Sequence, residues 1–441
     1  MRLPHASFSF ICCFGVALRV FFFANTKWQI ALSQRPELVT SISSFDRVKE
    51  SVFHLQQGKS PYDGDTFHQP PLLLLAFYPL LTILSNHETI TYTIIAMTFI
   101  LLDIIIAFQL AKLTHWIHQF GEESRMQTTK DEPIWIEEEF PLSPLLKSAV
   151  LPNTVAAVYL LNPYSVASCV AVSTVSVTHA VIISSFVSAT KKAVLTSCML
   201  LALATYLSLY SAVLIFPIAL YLKAVATQNG PSDRKLHSTS KLMLGFMISL
   251  AALLFLSYRL TQSWAFIEKT YGWIATYSDL TPNVGVFWYF FIEVFDRFVP
   301  YFLLLLHAHP LIYVVPLYLR LCQRPQAYAC TLLGIMTLFQ AYPTFGDFGF
   351  YMSLTMIHPK TVMNVRHRFV YLLGLSAATC VLPIMWHLWL YPASGNANFY
   401  FSQTLVYQVF VAQIIVAFVH STMERDKRIQ QFRKLKIDKC E

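Results

Sequence analysis

Residues 368–391 (RFVYLLGLSAATCVLPIMWHLWLY) and 403–423 (QTLVYQVFVAQIIVAFVHSTM) are two apolar runs separated only by residues 392–402. A bilayer core takes a helix of about 20 apolar residues, so each run reads as a membrane-spanning helix. Comparable runs cover 6–25, 89–112, 150–187 with a break, 194–222, 241–262, 299–320 and 326–342. Shorter apolar pieces lie at 71–86, 284–292 and 348–357. Together they predict an all-α polytopic membrane protein with roughly 10–12 transmembrane helices. Only 13% of residues are charged, against about 25% in soluble domains. Residues 1–423 form one membrane domain on this reading, followed by a basic tail at 424–441. The first run is long, contains Arg19 and lacks a small-x-small cleavage site, which favours a retained span over a signal peptide.

Three polar segments interrupt the runs. Residues 26–70 contain SSFDRVKESVFHL, where Phe45, Val48, Val52 and Leu55 recur at helical spacing behind Ser43 or Ser44 as N-cap. This predicts an amphipathic helix lying on the membrane surface. Residues 113–148 form an acidic loop, and 223–241 carry Lys223, Arg234, Lys235 and Lys241. The tail holds seven Lys/Arg against four acids, and short basic clusters mark cytosolic loops. Working back from the tail, 358–368, 319–324 and 223–241 fall in the cytosol and 390–402 in the lumen; 26–70 is read as a luminal loop, although the first half does not orient by this rule. Lys191, Lys192 and the acidic loop resist this assignment.

The same topology gathers DLTPNVG (279–285), YPTFGD (342–347) and PASGNAN (392–398) on the luminal side, beside the aromatic VFWYFF (286–291). Irregular backbone at membrane depth is tolerated where it is packed in protein or lines a wet cavity. The expectation is therefore a luminal cavity with amide and aromatic walls. Asn396 and Asn398 supply donors and acceptors there without buried charge. Tyr400 supplies an amphipathic wall, and Asp279 and Asp347 sit within the breaks. On the cytosolic side Lys235 and Arg320, with Arg324, Arg366 and Arg368, are placed to meet anionic lipid headgroups. Arg19, Asp103, Arg259, Glu293, Asp296 and Arg297 lie within or at the edges of spans, where charge marks function or pairing.

Enzymatic fingerprints are sparse. No GxSxG, P-loop or dinucleotide motif occurs, and the eight cysteines lie mostly in or beside apolar runs without CxxC spacing. No metal, cofactor or nucleic-acid partner is indicated. Asp63-Gly64-Asp65 in the first luminal loop is the most enzyme-like feature, because membrane glycosyltransferases use acidic residues there. Pro61-Tyr62-Asp63-Gly64 is equally an ordinary turn.

AAVYLLNPYSVASCVAVST (156–174), LTQSWAFIEKTYGWIATYSDLTPNVGVFWYFFIEVF (260–295), AYPTFGD (341–347), PIMWHLWLYPASGNANFYF (383–401) and LVTSISSFDRVKESVFHLQQGKSPYDGDTFHQPPL (38–72) closely resemble the class U phosphatidylinositol-glycan biosynthesis family. This is the polytopic U subunit of the GPI transamidase. The resemblance runs from about residue 10 to 423 and is weak in the acidic loop and the tail. It implies a fold like the GT-C glycosyltransferases and residence in the endoplasmic reticulum membrane. It also implies partnership with a thiol-protease-like catalytic subunit, and a non-catalytic role in binding and presenting the GPI lipid. FLSYRLTQSW (255–264) corresponds to a family stretch proposed to recognise long acyl chains. The Asp63/Asp65 pair departs from the family pattern, which weakens the alternative of a dolichol-phosphate-sugar-dependent glycosyltransferase.

Overall fold

The computed structural model describes residues 5–83, 87–120, 142–227 and 239–440, and helix is its only regular secondary structure. Lys235 and the acidic stretch 121–141 lie outside the described residues. α1 (His5–Phe23) and α2 (Thr26–Ser33) meet at a bend of 89°. Asn25 makes that corner by accepting the Lys27 N–H at 3.1 Å. α3 (Phe45–Gln56) and α4 (Pro71–Ile83) follow, then the long α5 (Glu88–Phe120).

Next come α6 (Leu151–Leu161), α7 (Pro163–Val170), α8 (Val175–Thr190), α9 (Val194–Leu207) and α10 (Ile215–Thr227). The Asn162-Pro163 junction splits α6 from α7, with the Asn162 side chain capping Tyr164 N–H at 3.0 Å. The remainder comprises α11 (Thr239–Thr261), α12 (Phe287–Glu293), α13 (Val299–Ile312), α14 (Val314–Leu321), α15 (Pro325–Phe339), α16 (Phe345–Thr355), α17 (Pro359–Met363), α18 (Arg368–Leu390) and α19 (Ala397–Cys440).

Among the described residues, five helical stretches are long and apolar enough to cross a membrane: Glu88–His118, Ser240–Thr261, Asp296–Leu321, Arg368–Leu390 and Ala397–Gln431. The bent α1–α2 pair makes a sixth, and six more apolar helices run 10–17 residues. The polytopic all-α architecture expected from hydropathy is therefore present, with many crossings built from short pieces. Proline explains part of the fragmentation. Pro163, Pro325 and Pro359 each stand at the first position of a helix, where the missing N–H costs no intrahelical bond but the preceding helix cannot run through.

Long-range hydrogen bonds define two ends. At the loop-rich end Thr174 N–H donates to Ser43 O (3.0 Å), Phe345 N–H to Glu37 O (2.8 Å) and Gln408 Nε2 to Val284 O (2.5 Å). At the opposite end His118 contacts Ile357 O (2.9 Å) and Ser421 donates to Thr361 O (2.8 Å), while Arg324 pairs with Asp426. α8 leaves the loop-rich end at Val175 and its 16 residues carry Lys191 and Lys192 about 24 Å away. The two lysines unassigned by charge counting thus join the basic clusters at the opposite end.

Three expectations change. α5 extends to Phe120, so residues 113–120 are helix rather than loop. α19 continues without interruption through 424–440, and Ile429 and Arg425 are buried, so the start of the tail packs on the body. α3 forms with Ser44 as its cap, accepting Arg47 N–H at 3.4 Å. Its apolar face, however, meets protein: Phe45 packs edge-on against Phe77 (5.0 Å) and Phe99 (5.6 Å). A stripe at helical spacing reports an apolar neighbour and does not distinguish a bilayer from α4 and α5.

Candidate functional site

The loop-rich end is assembled around the segment between α2 and α3. Arg35 grips Glu37 with two hydrogen bonds of 2.9 and 3.1 Å, and the Glu37 carbonyl holds the start of α16. Arg47 reaches from α3 to Thr66 O at 3.1 Å and lies 3.8 Å from Asp279. Asp279 also accepts hydrogen bonds from the Ser41 and Thr281 hydroxyls and from Thr281 N–H (2.8 Å). Burial pushes its carboxyl upward, but these donors and Arg47 outweigh it and hold the group below the usual carboxylate value. Asp279 is therefore a clasp between the first loop and the 277–286 loop.

Beside it rings stack in series. His68 lies on Trp273 at 3.6 Å, Trp273 on Tyr342 at 5.2 Å, and Tyr342 on Tyr277 at 4.8 Å. Tyr342 donates to Asp279 O at 3.1 Å. The Pro/Gly/Asn breaks do converge: 277–285 meets 342–343 through this stack, and 392–398 joins through α12. The space between them is filled by rings, which corrects the expectation of an open cavity with amide and aromatic walls. Gly285 shows how closed the junction is, because a Cβ there would lie 2.8 Å from Pro343.

The 391–398 loop forms a shelf at the start of α19. Ser394 and Gly395 N–H groups return to Leu388 O (3.1 and 3.2 Å), ending α18. Asn396 Oδ1 accepts Phe399 N–H at 3.3 Å, and Asn398 Oδ1 accepts the Tyr289 hydroxyl. Both asparagines are exposed, and no described residue accepts from either amide nitrogen. Tyr400 behaves differently: its ring is fully buried among Trp386 (5.2 Å), Trp288 (6.0 Å) and Trp389 (6.4 Å), next to the Arg35–Glu37 pair. Tyr400 therefore braces the shelf from beneath and is not an exposed wall.

Asp347 is also internal. It completes a capping box with Thr344, accepting Thr344 N–H at 2.9 Å while its own N–H donates to Thr344 Oγ1 at 3.3 Å, and it also accepts the Thr344 hydroxyl (2.8 Å) and Gln340 Nε2 (2.7 Å) and meets His179 at 3.1 Å. The cavity beside it is about 30 Å³, room for about one water molecule and far too small for a lipid headgroup. Arg320 is exposed near the C-terminus of α14, towards the opposite end. In the first loop, Asp65 pairs with Lys269 at 2.9 Å and Asp63 closes a turn onto Ser60 O at 3.3 Å. Lys269 holds the exposed Asp65 carboxyl below its ordinary value. His68 Nε2 reaches the Asp65 carbonyl at 2.9 Å, and no group of three or more His, Cys, Asp or Glu side chains that could hold a metal occurs among the described residues.

Sequence reasoning missed two features. A cavity of about 520 Å³ opens between the α1–α2 corner, α3 and the start of α5. Within the membrane region, Arg19 and Asp103 form a buried pair (2.6 and 2.8 Å) to which Tyr159 adds a hydrogen bond of 2.9 Å. Both charges had been marked singly as intramembrane groups, but their 84-residue separation leaves no local pattern.

The sequence profile of the GPI transamidase subunit PIG-U family matches residues 13–407. The chain belongs to this family. GPI-anchor transamidase component PIGU of Cricetulus griseus is 33% identical over 366 residues, covering 81% of this chain and 80% of the relative. The Homo sapiens protein of the same name is 32% identical over the same shares. GPI transamidase component GAB1 of Saccharomyces cerevisiae is 27% identical over 82% of this chain and 80% of its own length. The PIG-U match spans the first loop, the ring stack and the asparagine shelf, so all three belong to the family's shared region. The five long apolar helices among the described residues accord with a multi-pass membrane protein.

Proposed function

We propose that this chain is the non-catalytic membrane subunit of a GPI transamidase that binds the GPI lipid and presents it at the luminal face of the endoplasmic reticulum. A thiol-protease-like partner subunit would carry out transfer of a protein C-terminus to the lipid. The observation that carries the reading is the asparagine shelf. Asn396 and Asn398 use their carbonyl oxygens to shape the loop and keep exposed amide N–H donors. Such donors suit sugar hydroxyls and phosphate oxygens. Tyr400 and its tryptophans hold the shelf rigid, and preorganised donors lose less free energy on binding. Asp279 and Asp347 contribute indirectly, by fixing the loops behind the shelf. Exposed Arg320 remains suited to anionic headgroups on the cytosolic side, as does Lys235 by its sequence context.

The test is Asn396→Ala with Asn398→Ala in cells lacking the endogenous subunit. The complex should still assemble and co-purify, complete unattached GPI should accumulate, and surface GPI-anchored protein should fall several-fold. Normal attachment by an assembled double variant would refute the assignment. The glycosyltransferase alternative makes a different forecast for Asp63→Asn with Asp65→Asn: loss of the GPI precursor itself.

A further inference from the structure

The cavity of about 520 Å³ is separate from the asparagine shelf and is built like a headgroup pocket. Its floor is apolar, with Phe23, Phe45, Tyr92, Ile95 and Ala96, and its rim carries Lys49, Asp46, Glu88, Thr26 and Gln29. The volume lies within the roughly 300–1,000 Å³ typical of small-molecule sites. We propose that this cavity binds a phospholipid headgroup carrying both a phosphate and a primary amine.

The charges select that chemistry. One ammonium against two carboxylates leaves the rim at +1 − 2 = −1, so a simple anion is disfavoured. A simple cation would meet the Lys49 ammonium on the same rim and compete with it for Asp46. A zwitterion satisfies both signs, with phosphate at Lys49 and the amine between Asp46 and Glu88. Lys49 lies 3.0 Å from Asp46, but both are substantially exposed (48% and 63%), and such surface pairs are held by only about 0–1 kcal/mol. Lys49 is therefore free to turn to a phosphate. A primary amine is favoured over a quaternary one because carboxylates take its N–H donors, whereas quaternary ammonium needs aromatic faces. The Tyr92 ring meets Phe23 edge-on at 75° and its hydroxyl is tied to Phe23 O at 2.8 Å, so it offers no free cage. Phe21, Met97 and Leu101, next to this region on α1 and α5, are 71%, 57% and 55% exposed. They give acyl chains a path along the outside of the bundle.

The amine-phosphate group has two sources, a glycerophospholipid such as phosphatidylethanolamine or the phosphoethanolamine of a glycosylated phosphoinositide. The complex containing this chain is purified, its bound lipids are extracted and identified, and delipidated complex is then offered phosphatidylethanolamine or phosphatidylcholine in nanodiscs. Native mass spectrometry reads the lipid retained. Wild type should retain phosphatidylethanolamine at least five-fold over phosphatidylcholine. Lys49→Gln, and independently Thr89→Trp at the exposed cavity mouth, should each abolish that preference. The lipid extracted from the untreated complex identifies the source: phosphatidylethanolamine sustains the proposal, and a glycosylated phosphoinositide as the only amine-bearing lipid retained would refute it, because that lipid is already assigned to the asparagine shelf. Equal retention of the two lipids by wild type, or unchanged preference in both variants, would overturn it. The Asn396→Ala/Asn398→Ala variant should keep the preference, and its loss there would refute a separate pocket.

Discussion

Neutralising Asp103 should destabilise the protein far more than a lost hydrogen bond does. Arg19 is 1% exposed and directs Nε (2.8 Å) and a terminal nitrogen (2.6 Å) to Asp103, while its other terminal nitrogen donates to Leu160 O (2.8 Å) and Gly15 O (3.1 Å). The approach depends on Gly15, whose added Cβ would sit 3.1 Å from Leu160. Counted as hydrogen bonds at about 0.6 kcal/mol each in membranes, those from Arg19 Nε and the Tyr159 hydroxyl to Asp103 would be worth about 1 kcal/mol. Counted as a buried ion pair, loss of one partner costs about 3–5 kcal/mol, because a desolvated charge is left behind. The second effect dominates, and it predicts a non-additive cycle. Asp103→Asn and Arg19→Met should each lower stability by about 3 kcal/mol or more, roughly a hundred-fold in the folded ratio. The double variant removes both charges and keeps an acceptor for Tyr159, so it should lose no more than about 2 kcal/mol. Equilibrium unfolding of the purified chain in lipid bicelles measures all four corners. Additive losses, within about 0.5 kcal/mol, would refute the ion-pair reasoning and reduce Arg19 and Asp103 to independent hydrogen-bonding residues.

Two further predictions test the packing and the loop clasp. Gly374 on α18 faces the Phe410 ring so closely that an added Cβ would overlap it; Gly374→Ala should cost about 1–3 kcal/mol by overpacking, and Phe410→Leu in the same chain should recover part of the loss in thermal unfolding. Asp279→Asn should destabilise by about 1.5–3 kcal/mol at neutral pH, the worth of hydrogen bonds to a charged group. Because the folded carboxyl titrates below its ordinary 3.8, the unfolded chain takes up the proton first on acidification. The clasp is then complete above 3.8 and lost as pH falls through the lower folded value, so wild type and variant stability curves should converge only in acid. Curves that stay parallel would exclude Asp279 as a charged clasp.

Sequence alone determined the features that depend on neighbours along the chain. Apolar runs of spanning length specify helices in a membrane, and Ser44 before a 3.6-residue apolar stripe specifies α3 and its cap. The Pro/Gly/Asn breaks specify where helices stop, and basic clusters sort loops into two sets. Asn396 and Asn398 were visible for the same reason, since two amides between spans interrupt a strong local pattern. Tertiary structure decided which surfaces meet. His179 and Asp347 pair across 168 residues, and Tyr289 meets Asn398 across 109. Such partners leave no periodicity to read. Whether an apolar stripe faces lipid or protein also escaped, because α3 and a surface helix carry the same pattern. Tyr400 reads from sequence as part of the break between two spans, whereas α19 already begins at Ala397 and three tryptophans converging from α12 and α18 bury the ring. The 520 Å³ cavity arises because the chain turns 89° at Asn25 and sets α2 across a gap from α3 and α5. Hydropathy counts residues along one axis, and a cavity is a relation among three helices.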